Sequence, residues 1–457
     1  MYFFYRVLTA LSMLVLAPYY ALRGWRRGQD SRALQQRFGG LPPEITARTD
    51  ARAKTGTKTG AGAGSKLGAI WIHAVSVGEV LAAKPLVEGL KRRQPERSVY
   101  VSTTTETGQQ LARERLQCAD AVFYFPLDWV IPVRRALRGM QPAMVVIMET
   151  EIWPNFLRAA KRLGIPVVFA NARISERSFA RYKRWEFLVG EFYERVLRDA
   201  DMFLAQTPTD VERLREMGAP EERVEVTGNL KYDVAAPAVS PFGAWLGAQT
   251  RRQERWPVLV AGSVVAEEEE AVIAAYDVVQ RKWRRALLVL APRKPDRFGA
   301  AAEIVEAGGW HVVRRSKIDI SGSGAALDEN ADVLVLDSIG ELAGLYSLAD
   351  AVFVGGSLVS AGGHNILEPA WFSRPPVFGR SMENFRDMAD QFLAARAGVQ
   401  ADSGSQLGKV WVQLIEDPPL RDRMGKAARE LSERNRGATE RCLDRILAVL
   451  AAEGRPA

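Results

Sequence analysis

Residues 69–80 read AIWIHAVSVGEV: a short run that is apolar apart from His73, then a serine, a glycine and a glutamate, then the first turn of an amphipathic stretch. A brief apolar run that passes within a few residues into a helical pattern reads as a strand buried on both faces, as in a parallel sheet. The same unit recurs along the chain. The runs are AIWIHA (69–74), SVYVS (98–102), AVFYF (121–125), MVVIM (144–148), IPVVFA (165–170), MFLA (202–205) and VEV (224–226). A second series follows at PVLVA (257–261), ALLVLA (286–291), WHVV (310–313), DVLVL (332–336), AVFVG (351–355) and PVFG (376–379). Segments of helical length separate them, so two doubly wound α/β lobes are predicted. A length of 457 residues agrees, being too great for one compact core.

The connections follow from composition. Residues 47–68 contain little but Ala, Gly, Thr and charged residues and read as a flexible linker. A first lobe is placed at 69–235 and a second at 250–416. The interdomain linker falls near 232–256, and the helical tail 417–457 is expected to pack on the lobes. Residues 7–22, VLTALSMLVLAPYYAL, are apolar but short of a comfortable bilayer span, and Arg23, Arg26 and Arg27 follow. Residues 1–28 are therefore read as a retained anchor on the cytoplasmic face of a membrane, with a buried N-terminal helix of the first lobe as the alternative.

Composition narrows the function. With 47% hydrophobic and 25% charged residues the chain is neither disordered nor a multi-span membrane protein. Two cysteines, Cys118 and Cys442, provide neither a disulfide framework nor a zinc site. The net charge of +8 suggests an anionic partner. Between Arg158 and Arg198, ten Lys and Arg stand against four Glu, interleaved with Phe179, Tyr182, Trp185, Phe187 and Phe192. That stretch suits single-stranded nucleic acid, an anionic lipid face, or simply a solvated amphipathic helix.

Ligands of doubly wound sheets sit beyond the carboxyl ends of the strands, which directs attention to the residues there. In HAVSVGEV, Ser76 is a candidate cap, and Glu79 is either an ordinary first-turn glutamate or a carboxylate able to deprotonate a hydroxyl. In ETEIWPN, Glu149 and Glu151 require cations or substrate hydroxyls, or else cap the helix begun by Pro154. TGNLKYD offers Lys231 to a phosphate or sugar carboxylate. In the second lobe, AGSVVAEEEE presents Gly262 and Ser263 to an anion, with Glu267 to Glu270 read as a solvated, dipole-compensating turn. Arg293, after Pro292, suits a bidentate phosphate contact. GGSLVSAGGHNILEPA carries Gly355, Gly356, Gly362 and Gly363, whose backbone can approach phosphate, then Asn365 and Glu368, the latter placed to accept both ribose hydroxyls. No P-loop, nucleophile elbow or H-E-x-x-H motif occurs, and Asp199 and Asp201 precede a strand rather than follow one.

The string HAVSVGEV, TTTETG, METEIWPN, NARISERS, GNLKYD, APRKPDRF, DSIGEL and GGHNILEPA, spanning residues 73–370, resembles the 3-deoxy-D-manno-octulosonic acid (Kdo) transferases. The resemblance implies a GT-B-like fold, two Rossmann-like doubly wound domains facing a central cleft behind an N-terminal membrane-anchor helix. It implies an inverting transfer of Kdo from CMP-Kdo to a tetraacylated, phosphorylated lipid A precursor, lipid IVA, in lipopolysaccharide core biosynthesis, with no cofactor and no metal. By resemblance Glu79 matches the general base, and Glu151 and Lys231 match residues that stabilise the transition state. CMP contacts carry over to Pro292 and Arg293, to Ile339, Gly340 and Glu341, and to Asn365, Ile366, Leu367 and Glu368, and Ser263 joins the expected nucleotide site from its own place after the strand. The chain departs from the family in having Val264 and Val265 where a Thr-His pair is usual, and Lys294 where a histidine is usual. The expected partners are CMP-Kdo, the anionic lipid precursor and the membrane surface, with no nucleic acid. A GT-B enzyme using a UDP-sugar, or a nucleic-acid-binding protein, are the competing readings.

Overall fold

A computed structural model of the chain describes residues 2–12, 31–56, 68–234, 236, 238–320 and 326–453. These divide into two compact units, residues 1–234 with 435–457 and residues 235–434.

The first unit is built on seven parallel strands: β1 (Ile70–His73), β2 (Val99–Thr103), β3 (Ala121–Tyr124), β4 (Met144–Met148), β5 (Val167–Ala172), β6 (Met202–Ala205) and β7 (Val224–Val226). Their order is β3-β2-β1-β4-β5-β6-β7, and β1 pairs with both β2 (Ile70 with Val99) and β4 (Ile70 with Met144). Successive residues of β1 feed opposite cores, because side chains alternate across a strand. Trp71 packs with Phe123, Phe125 and Phe156 on one face, while Ile70 and Ile72 join Val80, Leu86 and Leu90 on the other. Both layers are shielded from water, which is why the strands read as unbroken apolar runs rather than alternating ones.

The second unit has β8 (Val258–Val264), β9 (Leu287–Pro292), β10 (Val312–Arg314), β11 (Val333–Val335), β12 (Ala351–Val354), β13 (Pro376–Phe378) and β14 (Val399–Gln400), in the order β10-β11-β9-β8-β12-β13-β14. All thirteen runs quoted above overlap a strand. Only β14, two residues long, had no run of its own.

Several boundaries differ from the sequence reading. Residues Pro43–Gly56 form a helix, so the first half of the expected flexible linker at 47–68 is ordered. Pro43 opens it, Glu44 lies in its first turn, and the Ala, Arg and Lys that looked featureless are good helix formers. Residues 57–67 lie outside the described part of the chain. The stretch expected to be an interdomain linker contains the helix Pro241–Arg252, capped by Ser240, whose hydroxyl accepts from Gly243 N–H. The tail is divided: Pro418–Arg434 belongs to the second unit and Ala438–Glu453 to the first. Cys442, Leu443 and Ile446 of the last helix are buried in the same core as Ile70 and Val80.

The N-terminal residues 2–12 are helical, and the rest of the expected anchor, from 13 to 28, lies outside the described residues. Among those described, no helix is long and apolar enough to cross a membrane. Tyr2 donates to Asp199 (2.7 Å) and Tyr5 to Asp128 (2.9 Å), and both rings lie against Phe192. Phe3, Phe4, Leu8 and Leu11 are exposed.

Candidate functional site

The strand order reverses direction between β1 and β4 in the first sheet and between β8 and β12 in the second, which has a further reversal at its β10-β11 edge. Loops leaving the carboxyl ends of such neighbouring strands diverge to opposite faces and leave a crevice. The predicted residues at these points fall into two groups, one per unit.

In the first unit β1 runs into the helix Val77–Arg93. Ser76 occupies the cap position but does not cap with its side chain. Its hydroxyl donates instead to Glu79 Oε1 (3.1 Å), and Val75 N–H donates to Glu79 Oε2 (2.7 Å). Glu79 is thus folded back over the strand-to-helix turn and is 6% exposed. Burial pushes its carboxyl up to about 8; Glu149 adds to this, Val75 N–H opposes it, Glu151 adds further, and the Ser76 hydroxyl opposes.

At the end of β4, Glu149 adopts a left-handed backbone (φ 54°) while its N–H still bonds Ala170 O at 3.0 Å. A non-glycine residue held there carries backbone strain of about 1 kcal/mol, a recurrent feature of functional sites. Glu149 Oε1 lies 3.4 Å from Lys231 Nζ. Lys231 is presented by the short turn Leu230–Asp233, whose backbone is tied by Asn229 Oδ1 to Lys231 N–H and by Asn171 Oδ1 to Leu230 N–H. Glu151 is half-buried, and burial, then Glu149, raises its ionisation above the usual carboxylate range. The structure therefore brings Glu79, Glu149, Glu151 and Lys231 into one electrostatic group. Glu149, which the sequence reading noted but did not single out, is the carboxylate paired with Lys231. Its place directly after β4, at the reversal of strand order, was the available signal.

In the second unit β8 carries Gly262 and Ser263 near its end, with Ser263 at φ 55°. A methyl group on Gly262 would sit 1.9 Å from Tyr346 Oη, so only glycine fits. Arg293 follows β9 and Pro292, its N–H bonded to Val264 O (2.8 Å) and its side chain exposed. Its charge bears on two groups of the loop after β12. Burial, then Arg293, holds His364 down to about 4. Burial pushes Glu368 up to about 7, opposed by Asn365 and by Arg293. Glu368 stands in the first turn of the brief helix Leu367–Ala370, and Ile366 and Leu367 are buried beneath it. After β11, Ile339 and Gly340 are exposed, while Glu341 receives two bonds from Arg315 (3.0 and 3.3 Å) and one from Ser338.

The Glu267 to Glu270 run is not a solvated turn. Glu267 and Glu270 are exposed, but Glu268 and Glu269 are buried. Glu269 pairs with Arg297 (2.8 Å), and Glu268 accepts backbone N–H bonds from both loops of the crevice. Sequence reasoning missed both, because four adjacent acids in a first turn look like dipole compensation whichever way they point. The basic aromatic stretch is also sorted by folding. In the helix Glu176–Leu197, Tyr182 is buried and Phe179 and Phe192 pack against the core, whereas Trp185, Phe187 and Leu188 are exposed. Among the described residues no group of three or more His, Cys, Asp or Glu side chains is disposed to hold a metal ion.

Residues 32–234 match the family model described as 3-deoxy-D-manno-octulosonic-acid transferase (kdotransferase). A 3-deoxy-D-manno-octulosonic acid transferase of Haemophilus influenzae is 34% identical over 384 residues, 82% of this chain and 86% of its own length. The Bordetella pertussis protein of the same name is 35% identical over 451 residues, 95% of this chain and 97% of its own. Among solved structures, a putative UDP-N-acetylglucosamine 2-epimerase from Listeria monocytogenes covers 86% of this chain and 98% of its own, with a TM-score of 0.55 and 14% identity, a likeness of fold alone. Identity of this extent, over nearly the whole of both chains, makes this protein a member of the 3-deoxy-D-manno-octulosonic acid (Kdo) transferases, a family of glycosyltransferases.

Proposed function

We propose that the chain transfers Kdo, with inversion, from CMP-Kdo to a phosphorylated lipid A precursor, lipid IVA, in lipopolysaccharide biosynthesis at the cytoplasmic face of the inner membrane. The observation that carries the reading is Glu79, a buried carboxyl at the strand-order reversal of the first unit, its affinity for a proton raised by burial and by Glu149. An acceptor hydroxyl attacks the anomeric carbon of Kdo, its proton passes to Glu79, and the bond from that carbon to the CMP phosphate oxygen breaks, the electron pair leaving with CMP. A carboxylate whose conjugate acid ionises near neutrality is a stronger base than an exposed one. Lys231, oriented by Glu149, and Glu151 act at the acceptor side, where charge develops on the sugar.

In the second unit Arg293 neutralises the donor phosphate, Glu368 accepts the ribose hydroxyls, and the backbone at Ser263, Pro292, Ile339, Gly340, Glu341 and Asn365 to Leu367 shapes the nucleotide pocket. Arg293 is assigned the phosphate charge that a metal would otherwise offset, so no metal or cofactor is part of the proposal. Val264 is buried and Lys294 exposed, and neither is given a role. For the membrane surface the support is the exposed set Phe3, Phe4, Leu8 and Leu11 and the exposed Trp185, Phe187 and Leu188 within the basic stretch.

The test is incubation of the full chain with lipid IVA and either CMP-Kdo or a UDP-sugar, followed by mass spectrometry of the lipid. A product heavier by one or more Kdo residues, formed with CMP-Kdo alone, is expected; transfer only from the UDP-sugar overturns the donor assignment.

A further inference from the structure

The loop after β12 contains consecutive backbone N–H groups at Gly356, Ser357 and Leu358 that converge on one point. Such a concavity is a ready receptor for an anion, and in a nucleotide-binding sheet the expected anion is the donor phosphate. Here the point is already taken. Glu268 Oε2 accepts from Gly356 N–H (2.7 Å) and Val265 N–H (3.1 Å), and Oε1 accepts from Ser357 N–H and Leu358 N–H (2.8 Å each). Glu268 is fully buried, and a methyl group on Gly355 would lie 2.8 Å from its Oε2 and 2.6 Å from Ser263 O. Four charge-assisted bonds to one sequestered carboxylate leave none of these N–H donors free for a second anion, and a phosphate beside it would be repelled.

The same carboxylate reaches the predicted nucleotide contacts through the backbone. Gly356 O accepts from Gly363 N–H (2.7 Å), and a methyl group on Gly356 would lie 2.9 Å from His364 Nε2. The segment 363–368, carrying His364, Asn365 and Glu368, is thus seated on the turn that Glu268 holds. Ser357 extends the hub, its hydroxyl donating to Val354 O (2.6 Å) and accepting from Gly379 N–H (2.8 Å).

We infer that Glu268 is a positioning residue for the donor nucleotide: as a built-in anion it occupies the amide nest after β12, sets the 363–368 segment for the nucleoside, and leaves the donor phosphate to Arg293. The inference rests on the proposed use of the second unit for CMP. It predicts that loss of the charge weakens the nucleoside part of binding, not the phosphate part.

The experiment is calorimetric titration of the full chain with CMP and with cytidine, in the wild type and in Glu268→Gln, Glu268→Asp and Arg293→Ala. Glu268→Gln should weaken CMP and cytidine alike, each at least about tenfold, leaving their affinity ratio unchanged, with Glu268→Asp intermediate. Arg293→Ala should collapse the ratio while sparing cytidine. If removing the charge instead tightens CMP relative to cytidine, the nest is the phosphate site and the inference is wrong. Unchanged affinities in both Glu268 variants reduce the residue to a structural part and also overturn it. Should Glu268→Gln fail to fold, Glu268→Asp carries the same comparison. A wild-type chain that binds neither CMP nor cytidine overturns the donor reading itself, an outcome distinct from the others.

Discussion

The titration of Glu79 should govern turnover, and Glu79→Gln tests it while preserving size and one acceptor oxygen for Val75 N–H. The carboxyl ionises near 8, against 4.5 for an ordinary glutamate. At pH 7 only about a tenth of free enzyme therefore holds the base in its active form, and kcat/KM should climb about tenfold per pH unit at lower pH and level off above about 8. In Glu79→Gln the climb should vanish and the rate fall by about a hundredfold or more. The same property has a stability consequence of definite sign. With the folded value above the unfolded one, the native state keeps a proton that the unfolded chain surrenders as pH rises through 4.5. This contribution is fully present below pH 4.5 and is lost as pH rises toward 8, at about 1.4 kcal/mol per pH unit, or roughly 4–5 kcal/mol in all. The glutamine variant carries no such term. Urea unfolding across pH 5 to 9 should show the difference between the two proteins swinging in favour of the variant. A pH-independent difference, or a wild-type kcat/KM that is flat from pH 6 to 8, refutes the reasoning.

Gly262→Ala should lower stability by about 1–3 kcal/mol, because the added methyl meets the buried Tyr346 hydroxyl; Gly262→Ala with Tyr346→Phe should recover part of it, and a melting temperature unchanged by the single substitution is the contrary result. Asp128→Asn should cost about 1–3 kcal/mol, since the buried carboxylate accepts from Asn155 N–H, Phe156 N–H and Tyr5 hydroxyl; with Tyr5→Phe the losses should be less than additive, and strict additivity in chemical denaturation counts against a shared network. Removing residues 1–28 should reduce flotation with phosphatidylglycerol vesicles; undiminished flotation assigns the attachment to the exposed Trp185, Phe187 and Leu188 instead.

Much of the architecture was legible in local sequence, since a strand covered on both faces must be apolar along its length, and every run from AIWIHA to PVFG overlaps a strand. Positions after those strands could be marked for the same reason, because topology sends ligands to their carboxyl ends. Local sequence could not decide what each marked side chain meets. Glu149 and Glu151 are two residues apart and chemically alike, yet the turn Leu230–Asp233, some eighty residues later, delivers Lys231 to Glu149. In Glu267 to Glu270 four identical residues divide between solvent and core, because only Glu268 faces the amides of residues 356 to 358 and only Glu269 faces Arg297. Hydrophobic pattern is a property of neighbours along the chain, whereas the partner of a buried charge comes from wherever folding brings the chain back. Tertiary structure alone therefore turned a first-turn glutamate into the near-neutral carboxyl of Glu79, and an apparent phosphate nest into one filled by Glu268.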